Sequence, residues 1–130
     1  MNEIIGFTDQ QRWQNTFNAV WTHSEQMTER STKNGLCAYR GKNGNRCFIG
    51  ALIPDSLYKQ RFDDPRHDSS AKLLMQKKWG VNVKEFFETE GYSVQVHFLD
   101  RLQRDHDNHF ETRQASLRQT AALFGLTIPV

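Results

Sequence analysis

The run Cys37-Ala38-Tyr39-Arg40-Gly41-Lys42-Asn43-Gly44-Asn45-Arg46-Cys47-Phe48-Ile49-Gly50 constrains this chain more than any other segment. Asn-Gly tolerates the positive φ angles of tight turns, and here it lies between two short strand-compatible stretches, so the expectation is a β-hairpin. Two registers are open. A two-residue turn at Asn43-Gly44 pairs Arg40 with Cys47 and sends the cysteines to opposite faces. A five-residue loop from Gly41 to Asn45 places Cys37, Tyr39, Cys47 and Ile49 on one face. The second is preferred because that face is then uniformly apolar.

Helical patterns surround this hairpin. Thr8-Asp9-Gln10-Gln11 has the form of a capping box, followed by Trp13, Phe17, Val20 and Trp21 at helical spacing, which predicts a helix over about 9–27. Pro54 suits the first turn of a short helix leaving the hairpin. Further helices are expected from Ser69 or Ser70 to about Lys78, from Val83 to Glu90, from Ser93 to about Asp105, and from about 110 to 124. Gly91 stops the helix that ends at Glu90, and Gly125-Leu126 forms a C-cap pair for the last. The fold class expected is α+β: a mostly helical single domain over residues 1–130, with about five or six helices packed around one β-hairpin.

A chain of 130 residues buries roughly two-thirds of its unfolded surface without staples. Only 37% of the residues are hydrophobic, but nine Phe, three Trp and three Tyr bury a large area each, so a few rings can close a core. The 17 basic and 15 acidic residues are well mixed and leave a formal charge of +2, neither the basic excess of a phosphate-bound protein nor the acidic excess of a DNA mimic. The N-terminus has no basic segment with a long apolar run, and no stretch approaches the about 20 apolar residues of a membrane span. The expectation is a cytoplasmic protein without membrane contact, with Cys37 and Cys47 as reduced thiols.

No complete chemical motif is present. Nine residues separate Cys37 from Cys47, so a zinc site would need two of His23, His67, His97, His106 and His109 from distant segments. Asp105-His106-Asp107-Asn108-His109 collects metal-compatible side chains at a spacing that fits no standard loop, and is read as a solvated turn. Gly41-Lys42 fails as a phosphate loop because Leu36 and Asn43 stand where glycine and Ser/Thr are required. The sequence therefore assigns no catalytic residue, cofactor or metal. Lys72, Lys77, Lys78, Arg101, Arg104, Arg113 and Arg118 lie on three expected helices and could form a basic face near Trp79, diluted by Asp100, Asp105 and Glu111.

Cys37-x-Tyr39-Arg40, then Cys47-x-Ile49-Gly50-x-Leu52-Ile53-Pro54-Asp55 and Tyr58, resembles a family of small bacteriophage and prophage proteins. The Leu102…His106-Asp107 turn and the closing Phe124-Gly125-Leu126 are similar as well. The resemblance implies a phage setting, brings no catalytic residue with it, and points to a non-enzymatic accessory protein that binds and modulates a host protein. A counter-defence inhibitor, for example of a CRISPR-type system, is one such role. Tyr39, Arg40, Trp79, Tyr92, Arg101 and Arg104 are the candidate interaction residues, since Tyr, Trp and Arg dominate binding hot spots. The alternatives are a nucleic-acid-binding accessory domain, not favoured by the charge balance, and a Cys/His metal or redox protein. The oligomeric state is left open.

Overall fold

The computed structural model describes residues 6–33, 36–63, 75, 82–108 and 110–129. Four α-helices lie among them: α1 (Asp9–Gln26), α2 (Val83–Glu90), α3 (Val96–Asp107) and α4 (Arg113–Phe124). This overturns the α+β expectation: the described chain is helical, with four α-helices instead of five or six and no β-hairpin at its centre. The helix expected at 69–78 lies outside the described residues.

The hairpin fails for an identifiable reason. Arg40 and Arg46 form a single antiparallel bridge, and Gly41 N–H donates to Asn45 O at 2.8 Å, but pairing goes no further. On one side, the Asp63 carboxylate takes the backbone N–H groups of Tyr39 (2.7 Å) and Arg40 (3.0 Å). Upstream, residues 36–37 pair backwards with 32–33, and Ala38 N–H donates to Ser31 O. On the other side the chain coils directly after Cys47, with Ala51 N–H bonded to Cys47 O and a 3₁₀ turn at Gly50–Leu52. A two-residue ladder cannot form a sheet layer. Asn43 (φ 61°) and Gly44 (φ 75°) still adopt the left-handed backbone that Asn-Gly suits, within a short turn. Pro54 heads a turn and not a helix, its carbonyl accepting from Leu57 and Tyr58.

Local helix signals act as their chemistry dictates. Thr8 Oγ1 accepts from Gln11 N–H at 3.1 Å while Gln11 Oε1 accepts from Thr8 N–H at 2.8 Å, a complete capping box. Gly91 and Gly125 end α2 and α4 at φ 80° and 68°, and Leu126 N–H reaches back to Ala121 O. Ser93 does not open α3. Its N–H donates to Thr16 Oγ1 and its hydroxyl takes Gln95 N–H, so the helix starts three residues later, at Val96.

Helix α1 also closes the ends of its neighbours. A helix C-terminus leaves carbonyls without partners. Arg12 donates to Glu88 O and Tyr92 O at the end of α2, and Gln10 donates to Phe124 O and Gly125 O at the end of α4. The favour is returned by Arg113, which donates to Ser24 O and Met27 O at the end of α1. Between these ends α1 and α3 pack on α4, and Phe17, Phe48, Phe87, Phe98, Leu99, Leu102 and Leu117 are fully buried. Trp13 and Phe98 meet Phe124 edge-on.

Candidate functional site

The Cys-x-Tyr-Arg and Ile-Gly-x-Leu-Ile-Pro-Asp residues converge on the Arg40 guanidinium. It donates to Gly50 O (2.5 Å), Ile53 O (2.6 Å) and Asp55 Oδ1 (3.2 Å), and lies 4.8 Å from the centre of the Tyr58 ring. Tyr58 donates its hydroxyl to Asp63 Oδ2. Burial first, and then the Asp63 carboxylate, push that phenol well above its usual range. Gly50 is obligatory here, because a Cβ would stand 2.3 Å from Tyr39 O. Tyr39 is 5% exposed, so its ring belongs to the core and is no exposed anchor. Arg40 serves architecture: it locks residues 39–40 onto 50–63.

The thiol and imidazole candidates are likewise committed. Cys47 is buried, its Sγ accepts from Gly50 N–H at 3.2 Å, and burial raises its thiol far above the ordinary value, which removes the thiolate that nucleophilic or ligand chemistry needs. The Cys37 side chain lies outside the described residues. The expected solvated turn at 105–109 is corrected: Asp105, His106 and Asp107 form the last turn of α3, and His106 is fully buried. Its Nε2 accepts from Ser31 N–H at 3.1 Å, so Nδ1 carries the proton of the neutral ring and donates to Asp107 Oδ1 at 2.7 Å. Phe48 and Phe110 meet the ring edge-on. His109 lies outside the described residues, and among those described no group of three His, Cys, Asp or Glu is placed to hold a metal.

Two of the sequence candidates do meet. Arg101 and Arg104, three residues apart on α3, share one helix face and border a groove of about 340 Å³ against the first turns of α4. Thr112, Ala115, Ser116 and Gln119 form the opposite wall at the same helical spacing. The small side chains at 115 and 116 leave the volume open. Arg101 Nε donates to Thr120 Oγ1 (2.9 Å), which donates to the buried Asp105 Oδ2 (2.7 Å), so Arg101 is held in place with its terminal nitrogens left over. Arg104 is exposed and makes no hydrogen bond or ion pair with a described residue. Thr112, the N-cap of α4, caps no backbone N–H with its side chain. Ser116 is only 9% exposed, yet its hydroxyl has no partner among the described residues.

Tyr92 is half-buried, its ring edge-on to Phe87, and Trp79 lies outside the described residues. Arg113 and Arg118, grouped with the basic face by sequence, differ from Arg101 and Arg104: the first caps α1, the second lies 5.1 Å from the Trp21 ring. Beyond Thr112 and Ala115 a second depression carries Glu25 and Glu111 together with Arg113. Thr112, Ser116 and Gln119 were absent from the sequence candidates. Their signal was the polar stripe of α4 opposite Leu117, Ala121 and Phe124, but the isolation of the Ser116 hydroxyl depends on the fold. Among the described residues no helix is long and apolar enough to cross a membrane. Comparison of the chain with protein-family models, curated proteins and solved structures returns no match.

Proposed function

We propose that this chain is a non-enzymatic accessory protein of phage type that binds and modulates a host protein, with the α3–α4 groove as its contact face. The observation that carries this reading is the groove itself. Arg101 and Arg104 border it with terminal nitrogens that bond no described residue, whereas Arg12, Arg40 and Arg113 have theirs on backbone carbonyls. The buried Cys47 thiol and the doubly bonded His106 ring support a binding role over thiol or imidazole chemistry. A component of a host defence system, such as a CRISPR-type complex, is the partner class in keeping with the phage resemblance. The near balance of 17 basic and 15 acidic residues weighs against a nucleic-acid track, which needs several phosphate contacts in line.

The test is co-purification. Tagged chain and its Arg104→Glu variant are incubated separately with lysate of the cells that carry the gene, and recovered proteins are quantified by mass spectrometry. The expected result is one protein recovered in stoichiometric amount with the wild type and about tenfold less with the variant, the scale of a reversed charge in a contact. No stoichiometric protein, or equal recovery by both chains, overturns the proposal.

A further inference from the structure

The donors around the groove specify more than a contact face. We infer that the Arg101–Arg104–Ser116 groove is a phosphate site, taking one phosphate group presented by a ligand; as the contact chemistry of a partner, this rests on the binding role proposed above.

Two independent observations converge. The first is charge and geometry. Arg101 and Arg104 both border the groove, Arg101 anchored through Nε on Thr120 in the second half of α4, and Thr112 at the start of α4 provides no side-chain cap. A 3₁₀ turn at Phe110–Thr112 runs directly into α4, so the charge at this end of the groove comes from the two arginines and not from a free helix start. The second is Ser116: a hydroxyl on a residue nine-tenths buried, bordering the groove and without a partner among the described residues. A buried hydroxyl left unsatisfied is unfavourable, and a ligand acceptor in the groove relieves it. Asp105 also borders the groove. Its Oδ2 accepts from Thr120, whose Oγ1 accepts from Arg101, so this carboxylate is tied into the wall of the groove.

Two guanidinium groups from α3 and a hydroxyl from α4 fit the three oxygens of a phosphate better than the two of a carboxylate, and arginine matches phosphate with paired N–H groups. The groove volume, about 340 Å³, is at the lower end of the ligand-pocket range and accommodates such a group with part of what bears it.

The experiment is an NMR titration of the full chain with inorganic phosphate, and separately with acetate, at ionic strength held constant with chloride. The expected result is saturable shifts of the Ala115 and Ser116 amides and of the Arg101 and Arg104 Nε–H signals with phosphate, at least about threefold weaker saturation with acetate, and at least about threefold weaker phosphate binding in both Arg104→Gln and Ser116→Ala. These variants alter an exposed side chain and a single hydroxyl, and unchanged dispersion of their spectra confirms the fold. Linear shifts without saturation, equal binding of acetate, or undiminished phosphate binding in both variants overturn the inference. Co-purification separates the two proposals. A partner lost on Arg104 substitution without phosphate saturation leaves the binding role standing and this inference refuted, and saturation without a partner does the reverse.

Discussion

Replacing Arg40 with alanine removes a fork on two buried carbonyls, leaving Ile53 O without that partner and Gly50 O with the Ile53 N–H at 3.2 Å. Gly50 O and Ile53 O each accept a charged N–H, at 2.5 and 2.6 Å, and Gly50 and Ile53 are both buried. Hydrogen bonds to charged groups contribute about 1.5–3 kcal/mol each, and stranding the buried partner forfeits its solvation as well. The stack on Tyr58 adds about 0.5–1 kcal/mol. The ion pair with Asp55 adds little, at most about 1 kcal/mol, because the Asp55 side chain is 78% exposed while that of Arg40 is 16% exposed. These contributions are coupled and do not sum, so the expected loss is about 3–5 kcal/mol out of the about 5–15 kcal/mol typical of a domain.

Urea unfolding followed by tryptophan fluorescence measures this directly. With a slope of about 2 kcal/mol per molar urea, the midpoint of Arg40→Ala falls by about 2 M. Asp55→Ala is the control: it removes the exposed ion pairs with Arg40 and Arg46, leaves both carbonyl bonds, and shifts the midpoint by less than about 0.5 M. Arg40→Lys lies between, since an ammonium cannot present the planar fork to two carbonyls at once. Equal midpoints for Arg40→Ala and Asp55→Ala would refute the argument, because the guanidinium would then act only as one half of a surface ion pair.

Other consequences are equally direct. Gly50→Ala places a Cβ 2.3 Å from Tyr39 O, a backbone clash expected to cost about 1–3 kcal/mol or more; an unchanged thermal midpoint counts against the close approach. His23 donates from Nε2 to Arg46 O, and burial holds its pKa below 6.5, so the unfolded chain binds the proton more readily. Stability is therefore intact above pH about 6.5 and falls as pH drops through that value, more steeply in the wild type than in His23→Gln; parallel urea midpoints across this window exclude it. The Cys47 thiol, buried and with its pKa raised, is expected to resist maleimide labelling at neutral pH in the native chain and to react in urea, with peptide mapping separating it from Cys37. Native labelling of Cys47 as fast as in urea contradicts its burial.

Local chemistry made the helices legible. Thr8 and Gln11 are three residues apart, Gly91 and Gly125 follow their helices directly, and each signal is satisfied by groups within one turn. The hairpin misled because its decisive competitor is remote in sequence. Asp63 takes the Tyr39 and Arg40 N–H groups from more than twenty positions away, and the Arg40 side chain then fixes the Gly50–Ile53 carbonyls in a coil. A turn signal describes what the backbone can do between two strands and is silent about whether a carboxylate will claim the donors first. His106 misled in the same way. Between two aspartates it reads as turn chemistry, but its partner Ser31 lies 75 residues upstream and the rings of Phe48 and Phe110 enclose it.

Arginine is where sequence and site diverge most. A count of basic residues treats Arg12, Arg40, Arg101, Arg104 and Arg113 alike. Structure divides them by what their nitrogens already hold. An arginine on two carbonyls at a helix end has satisfied its donors, and a ligand must displace strong charge-assisted bonds to recruit it. Arg12 and Arg113 are in that position at the ends of α2 and α1, and Arg40 holds a coil in the same manner. Arg101 has one nitrogen on Thr120 and Arg104 none on a described residue, so their desolvation by a ligand breaks little that the fold needs. Under the proposed binding role, the arginines that matter are those the helix ends leave over, a distinction that the formal charge of +2 cannot carry because it counts every basic residue alike.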